Sequence, residues 1–165
     1  MCGVSTGADG REQCTPVASR YGAVVTKADH ADFLGADCPS NNTGELSAIG
    51  HALLLACAPD SPLQPGADLI LRYDSEYAAK SVQGIFNGAM NAALILRCRE
   101  LLAAARRGRT VSFEKVKGHS GDAMNDEADR LANLGALEAT KLPAQLVSST
   151  RDPDAVPASK RWKPR

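Results

Sequence analysis

The sequence predicts an α/β fold in which a mixed five-stranded sheet is flanked by helices. Residues 67–73 form a largely apolar run bounded by turn residues, which is typical of a strand in the middle of a sheet. Residues 20–27 and 110–116 alternate apolar and polar side chains, as half-buried strands do. Segments with apolar residues at helical spacing separate these runs, and the 165 residues suit a single domain.

The composition is that of a globular protein, with 44% hydrophobic and 23% charged residues. Its five cysteines include no C-x-x-C pair, which argues against a zinc site and against a disulfide framework. The sequence has no signal-peptide pattern and no apolar run of membrane-spanning length, so we expect an intracellular protein, cytoplasmic or nuclear.

The nineteen basic and nineteen acidic residues cancel, but the charges are unevenly distributed. Residues 97–117 carry seven arginines and lysines against two glutamates. A neutral protein with such a segment can still hold a phosphate backbone locally, and Arg97 and Lys117 are candidates for that contact. The alternative is an ordinary solvated surface.

The first elements are predicted to pair as antiparallel strands. A short strand surrounds Val4, and a turn follows at residues 9–10. The strand over residues 20–27 is expected to form a hairpin with residues 32–36 through a turn at residues 28–31.

A helix is predicted over residues 44–58, with Asn42 and Thr43 as its N-terminal cap. Glu45 lies in the predicted first turn, where the helix dipole favours an anion, and that preference alone can explain a glutamate there. The apolar residues recur at helical spacing and form a stripe that consists of Leu46, Ile49, Leu53 and Cys57.

Asp74 directly follows the predicted strand of residues 67–73. Open α/β sheets place their chemistry at the carboxyl ends of strands, which makes Asp74 a candidate site residue. It can equally cap the short helix predicted over residues 78–84, since Asp is among the best N-caps. A longer helix is predicted over residues 90–107, and the residues predicted to form one face are Leu94, Arg97 or Cys98, Leu101, Leu102 and Ala105.

The loop after the last predicted strand holds His119 between two glycines. A helix start follows, with Asp122 as its N-cap and with Asn125 and Asp129 one turn apart on one face. Such a loop can bring an imidazole near a carboxylate fixed by a helix, which suits proton transfer beside a metal. The alternative is a loop histidine followed by an ordinary polar helix face.

This last helix is predicted to continue to about residue 140. Residues 1–140 therefore constitute the predicted domain, and residues 141–165, rich in proline and basic at their end, are expected to form a disordered tail. The predicted packing face of the helix comprises Ala128, Leu131, Ala132 and Gly135.

Three segments, taken in order, resemble the type 1 ribonuclease H family. They are residues 41–46 (Asn-Asn-Thr-Gly-Glu-Leu), residues 69–77 (Leu-Ile-Leu-Arg-Tyr-Asp-Ser-Glu-Tyr) and residues 116–129, which begin Val-Lys-Gly-His. The similarity covers about residues 18–137 and is greatest to ribonuclease H domains of cellular enzymes and retroelements. It implies a ribonuclease H-like fold and an endoribonuclease that hydrolyses the RNA strand of RNA–DNA hybrids by a two-metal mechanism.

Through this resemblance, Glu45, Asp74 and Asp129 correspond to metal ligands, and Asp9 corresponds to a fourth. The implied cofactor is a pair of Mg²⁺ ions, for which Mn²⁺ can substitute. Two such cations can neutralise charge on the attacking and leaving oxygens of a phosphodiester, and Mg²⁺ prefers carboxylate and water ligands. Carboxylates without a metal repel one another, so some of their pKa values should be raised.

The resemblance also implies roles in proton transfer and substrate binding. His119 corresponds to a histidine that assists proton transfer or product release. Asn42 corresponds to a residue that contacts the RNA strand, and Asn125 to one that supports the site. Arg97 and Lys117 are the expected basic contacts to an RNA–DNA hybrid, which a monomer is expected to bind.

The chain departs from the family pattern at its first strand. Arg11 follows Asp9 and a glycine at a place where the family has a small residue, and residues 1–8 are poor strand formers. Alternatively, the true first strand is missing or has decayed, which would leave a fold that binds but scarcely cuts.

The chain also lacks the Trp-rich basic protrusion that some members carry after the second helix. Compact forms bind hybrid weakly alone, so a partner such as a reverse transcriptase or a hybrid-binding domain is expected. The shorter region offers a smaller set of candidate contacts, which comprises Phe86, Asn87, Arg97, Arg99, Arg106 and Arg107.

Two rival hypotheses keep the fold and change the function. One is a catalytically impaired ribonuclease H-like module that binds nucleic acid or a protein partner, and the weak first strand favours it. The other is an integrase- or resolvase-like nuclease. Those relatives generally lack a histidine loop such as residues 117–121, which argues against the second rival.

Overall fold

The computed structural model of the protein describes residues 2–6, 12–87, 89–118 and 122–141. Within these ranges four strands form two pairs, one antiparallel and one parallel, and helices accompany them. This combination confirms the predicted mixed α/β class, with four strands in the described ranges where five were expected. In chain order the elements are β1 (Cys2–Thr6), β2 (Glu12–Pro16), α1 (Asn41–Cys57), β3 (Leu69–Tyr73), α2 (Glu76–Val82), α3 (Ala92–Arg106), β4 (Val111–Lys115) and α4 (Ala123–Lys141).

The antiparallel pair joins β1 to β2, with Val4 opposite Cys14 in the register. The strand predicted around Val4 is therefore confirmed. Its partner β2 was not predicted, because its sequence Glu-Gln-Cys-Thr-Pro has no apolar alternation and ends in a residue that cannot donate to a ladder. The turn predicted at residues 9–10 lies outside the described residues.

The strand predicted over residues 20–27 is wrong, since only Tyr21 forms an isolated bridge there. The chain instead packs backbone to backbone against α4. A Cβ atom placed on Gly135 would lie only 2.4 Å from the carbonyl oxygen of Gly22. Burial along the segment does not alternate, and Val25 is its one fully buried residue. A tertiary contact thus takes the place of the expected ladder.

The predicted hairpin partner over residues 32–36 is also wrong. Turns and a bend occupy residues 28–32, and Gly35 has a φ of 103°, a value outside the β region. Leu34 and Ala36 on either side of this glycine are buried in the core. The segment therefore serves as a buried connection and not as a strand.

Helix α1 begins three residues earlier than predicted. Its N-cap is Ser40, whose hydroxyl accepts from the Thr43 backbone N–H at 3.2 Å while the Thr43 hydroxyl accepts from the Ser40 N–H at 2.8 Å. Asn42 is consequently inside the first turn and does not cap the helix, and Glu45 lies beyond that turn. The buried face comprises Thr43, Leu46, Gly50, Leu53 and Ala56, whereas Cys57, predicted to be buried, is exposed.

Helices α1 and α3 pack against each other to form the centre of the core. Leu46, Leu53 and Leu94 are fully buried at this interface. The Cys98 thiol donates to the carbonyl of Leu46 at 3.4 Å, and burial raises its pKa to about 12. The face predicted for α3 is buried with Cys98 as its member and not Arg97, which is exposed, and Ile95 belongs to it as well.

Strand β3 pairs in parallel with β4, and Tyr73 lies opposite Lys115 at the carboxyl end of both. Both strands were predicted, each slightly longer than observed. Leu69 and Leu71 are buried, but Ile70 between them is 53% exposed. Within the described ranges, β3 therefore buries one face and is not covered on both.

Helix α4 packs through a face rotated from the predicted one. Glu127, Leu131 and Gly135 are buried, while Ala128 and Ala132 are exposed. The contact of Gly135 with the Gly22 backbone fixes this orientation. The buried Glu127 accepts two hydrogen bonds from the Arg130 guanidinium, at 2.7 and 2.8 Å.

No helix in the described part of the chain combines the length and the apolar character needed to cross a bilayer. The predicted tail, beyond the end of α4, lies outside the described residues apart from Lys141.

Candidate active site

One of the predicted acids, Glu45, is influenced by the charges of two others that come from different parts of the fold. Glu45 belongs to α1, Asp74 follows β3, and Asp129 belongs to α4. The pKa of Glu45 is raised, first by partial burial of its carboxyl group and then by the negative charges of Asp74 and Asp129. The residue as a whole is exposed. The fold thus places Asp74 and Asp129, both predicted site residues, near enough to Glu45 for their charges to act on it.

Asp74 does not cap the helix that follows it. The cap of α2 is Ser75, whose hydroxyl accepts from the backbone N–H of Ala78 at 3.4 Å. The carboxylate of Asp74 lies instead against Gly118, because a Cβ atom on that glycine would be 3.1 Å from Asp74 Oδ2. The residue after Lys117 must therefore be small, and the carboxylate remains available at the edge of the sheet.

Asp122 caps α4 as predicted. Its Oδ1 accepts from the backbone N–H groups of Met124 at 3.0 Å and of Asn125 at 3.1 Å. Its Oδ2 lies 3.2 Å from a guanidinium nitrogen of Arg72 on β3. The bond from Asn125 and the charge of Arg72 lower the pKa of Asp122. Because this cap ties α4 to β3, it fixes the helix that carries Asp129.

Asn125 holds a buried hydrogen-bond donor one turn before Asp129. Its side-chain Nδ2 atom is inaccessible to solvent and has no hydrogen-bond partner among the described residues. An unsatisfied buried donor destabilises a fold unless another group accepts from it. Asn125 is therefore suited to contact a group supplied from outside the described part of the chain.

The donor set fits a hard divalent cation. All three acids offer oxygen ligands, which are the ligands that a hard divalent cation prefers, and the pKa of Glu45 is raised by its burial and by the charges of the two aspartates. In the described ranges, no group of three or more His, Cys, Asp or Glu side chains is already arranged to hold an ion. Asp9 and His119, the other predicted members of the site, lie outside the described residues.

Two of the predicted substrate contacts lie beside the acids. Asn42 is exposed and stands three residues before Glu45, which places both on one face of α1. Lys117 is exposed and directly precedes Gly118, which contacts Asp74. Both side chains can therefore reach a ligand that is bound at the carboxylates.

The arginines on and just after α3 were predicted to contact substrate. Among the described residues, none of them has an interaction that places it at the three acids. Arg97 is ion-paired with Glu100 at 3.2 Å along the same helix. Arg99 has a structural role instead, because it donates to the carbonyls of Ser81 at 2.8 Å and of Phe86 at 2.9 Å. Arg106 and Arg107 are exposed at the end of α3, which leads to the start of β4 and hence to the opposite end of the sheet from Asp74.

Sequence reasoning missed a charged cluster beside Asp74. Glu76, in the first turn of α2, accepts from Lys80 at 2.8 Å and from Lys115 at the end of β4. These two bonds, that from Lys115 first, lower the pKa of Glu76 to about 2. The i, i+4 spacing could have revealed the pair with Lys80. The pair with Lys115 depends on the parallel register of β3 and β4 and has no local signal.

Comparisons with known proteins agree with the sequence resemblance. The family described as RNase H matches residues 4–137. A protein named Ribonuclease H from Methylorubrum extorquens is 34% identical over 131 residues, which cover 72% of this chain and 53% of that protein. Two others of the same name are 31% identical (Verminephrobacter eiseniae, 79% of this chain and 88% of the relative) and 33% identical (Chromohalobacter salexigens, 79% and 82%). The chain thus spans about half the length of the first relative and most of the other two.

Proposed function

The chain belongs to the ribonuclease H family, and from this membership we propose that it is a metal-dependent endoribonuclease that hydrolyses the RNA strand of RNA–DNA hybrids. The observation that supports this proposal most directly is the raised pKa of Glu45, which reports the charges of Asp74 and Asp129 beside it. A glutamate carboxyl group with two aspartates nearby offers the oxygen ligands that bind metal and, through metal, a phosphodiester.

In this proposal Glu45, Asp74 and Asp129, together with Asp9, hold two Mg²⁺ ions, and Mn²⁺ can replace them. When bound, the ions supply neutralisation of the charge that develops on the attacking and leaving oxygens. Glu45, Asp74 and Asp129 lie on or next to different elements, so together they can surround the ions in a way that a single helix or strand could not.

Proton transfer and substrate binding are assigned to other polar side chains. His119 moves the proton, since an imidazole ionises near neutral pH. Asn42 and Asn125 bind the RNA strand, for which the 2′-hydroxyl in the wide minor groove is the distinguishing group. Lys117 contacts a phosphate, and Arg97 is a more remote contact of the same kind.

The oligomeric state and the partners belong to the proposal as well. We propose a monomer whose hybrid affinity is supplemented by a partner, either a reverse transcriptase or a hybrid-binding domain. The basis is the compact region around Phe86 that replaces a basic protrusion. An intracellular location, cytoplasmic or nuclear, would give access to such hybrids.

The test is a gel assay of the full chain on an RNA–DNA hybrid that is labelled on its RNA strand. We expect cleavage with Mg²⁺ that EDTA stops, and no cleavage of single-stranded RNA or double-stranded DNA. Asp74→Asn should lower the rate by more than about 100-fold, because loss of groups that only support a ligand already costs 10–100-fold. Hybrid binding should persist in this variant.

The matched control is Asp68→Asn. Asp68 is exposed and precedes β3, at the far end of the strand from Asp74, and its substitution changes the net charge equally. We expect this variant to cleave like the unmodified chain. Normal cleavage by Asp74→Asn would refute the assignment of the site. Hybrid binding without cleavage by the unmodified chain would instead favour an impaired binding module.

A further inference from the structure

Two lysines from different elements converge on one carboxylate at the carboxyl end of β3 and β4. Lys80 lies on α2 and its Nζ is 2.8 Å from Glu76 Oε2. Lys115 ends β4 and its Nζ donates to the other carboxylate oxygen, Oε1. The three side chains, here called the lysine cluster, carry two positive charges against one negative charge.

The lysine cluster is open to solvent. The side chains of Lys115, Glu76 and Lys80 are 55%, 43% and 33% exposed. Ion pairs this exposed contribute little to stability, because water screens them and ordering two long side chains costs entropy. Glu76 can therefore be displaced from the two ammonium groups by another anion at small cost.

An aromatic ring adjoins the lysine cluster. Lys80 Nζ lies 5.4 Å from the centroid of the Phe86 ring, and this ring is 42% exposed. Two hydrogen bonds hold the backbone of Phe86 in place. Its N–H donates to the carbonyl of Lys80 at 3.1 Å, and its carbonyl accepts from the Arg99 guanidinium at 2.9 Å. A pair of cations beside an exposed aromatic side chain whose backbone is anchored is suited to a ligand that joins an anion to a flat or apolar group, as a nucleotide does.

The lysine cluster and the acids lie at the same edge of the sheet. Lys115 is the register partner of Tyr73, which directly precedes Asp74. Gly118, three residues after Lys115, contacts the Asp74 carboxylate. A polymer with regularly spaced phosphates can therefore pass from the carboxylates to the lysines, whereas a small anion would occupy only one of them.

We propose that Lys80 and Lys115 bind a backbone phosphate of the nucleic acid, and that Glu76 occupies this anion site until the phosphate displaces it. The identity of the ligand as nucleic acid rests on the proposed function, and the site itself rests on the geometry of the lysine cluster. Phe86 would then contact the sugar or base next to that phosphate. Glu76 sets the affinity by competing with the substrate for the two lysines.

The test measures binding of labelled hybrid and of labelled duplex DNA by fluorescence anisotropy, in full-length chains that all carry Asp74→Asn so that the hybrid stays intact. The salt concentration is varied between about 50 and 200 mM, because each phosphate contact contributes close to one unit to the log–log salt slope. Circular dichroism confirms that each variant is folded.

We expect Lys115→Gln and Lys80→Gln each to weaken binding about threefold and to make the salt slope shallower by about one unit. Lys115→Arg should restore both. Glu76→Gln should tighten binding about threefold and steepen the slope, since both lysines become free of their internal anion.

The controls are Asp68→Asn and Lys27→Gln, which change the net charge equally at exposed positions outside the lysine cluster. If Glu76→Gln behaves like Asp68→Asn, and Lys115→Gln like Lys27→Gln, the effect is one of net charge and the lysine site is refuted. Absence of binding to either nucleic acid refutes it as well.

Failure of the lysine site is distinguishable from failure of the proposed function. If the chain with Asp74 intact cleaves hybrid but the lysine variants bind like their controls, only the proposed lysine site is refuted. If that chain does not cleave while the Glu76 and lysine variants shift duplex binding as expected, the lysine site stands and the proposed nuclease activity falls.

Discussion

Glu45 carries a carboxyl group whose ionisation is opposed by its partial burial and by two nearby acids. Partial burial raises its pKa, and the charges of Asp74 and Asp129 raise it further. A pKa that is higher in the folded state than the ordinary value of 4.5 means that the folded state binds the proton more tightly. The associated stability is fully present below pH 4.5 and is lost as the pH rises through the raised value. Ionised Glu45 therefore destabilises the metal-free protein at neutral pH.

Because ionised Glu45 destabilises the metal-free protein, its replacement by glutamine, which removes the charge and keeps the shape, should stabilise that protein. In EDTA at neutral pH we expect the variant to have a Tm a few degrees above that of the unmodified chain. The difference should disappear below pH 4.5, where the glutamate is protonated. Thermal unfolding by circular dichroism at both pH values measures it. The same difference at both pH values would show that charge repulsion is not the cause.

The acids of the site could be predicted from sequence, but their polar surroundings could not. Glu45, Asp74 and Asp129 belong to sequence motifs whose carboxylate residues indicate metal binding. By contrast, the orphaned donor of Asn125 depends on how α4 packs, and the pair of Lys115 with Glu76 depends on a strand register. Contacts between residues 39 positions apart leave no trace in local spacing.

Element by element, the position of α4 depends on one backbone contact. Gly135 lies against Gly22, and a Cβ atom there would meet the Gly22 carbonyl oxygen at 2.4 Å and its carbonyl carbon at 2.8 Å. A rigid backbone cannot yield as a flexible side chain does, so any added side chain must push the helix away. The same helix carries Asp129, so a structural glycine controls part of the site.

Gly135→Ala is accordingly expected to destabilise the protein by about 1–3 kcal/mol, the usual cost of overpacking. Urea denaturation followed by fluorescence or circular dichroism measures the change in midpoint. The matched control is Gly108→Ala, because a Cβ atom there meets nothing within 4 Å. That control should be neutral or slightly stabilising through the unfolded state. Equal midpoints for the two variants would contradict the close packing of α4.

Helices were predicted better than strands for a physical reason. The spacing of Leu94, Cys98 and Leu101 is a local property, and the helix it predicts is present. A strand depends on pairing with a second strand, and the local sequence does not show which segment that is. Residues 20–27 have the alternation of a strand, yet they pack on α4 through Gly22, while the polar segment Glu12–Pro16 forms a strand because β1 pairs with it.

At the scale of the whole molecule, the site exists only when α1, β3 and α4 are assembled. The unfolded chain cannot hold Glu45, Asp74 and Asp129 near one another, so a cation that binds them binds the folded state alone. Such binding stabilises the fold by mass action, by about 2.7 kcal/mol when the free ion exceeds its dissociation constant 100-fold. Metal affinity is thus measurable as stability, without any reference to cleavage.

We therefore expect Mg²⁺ to raise the Tm of the full chain in a concentration-dependent manner at neutral pH. The increase should shrink below pH 4.5, because protonated carboxyl groups are poor ligands, and Glu45 begins to gain its proton above that value. Asp74→Asn should lose most of the increase, and Asp68→Asn should retain it. An equal increase in both variants would mean that the ion acts elsewhere on the protein. A selective loss in Asp74→Asn would place the ion at the three acids, whatever the chain then proves to cleave.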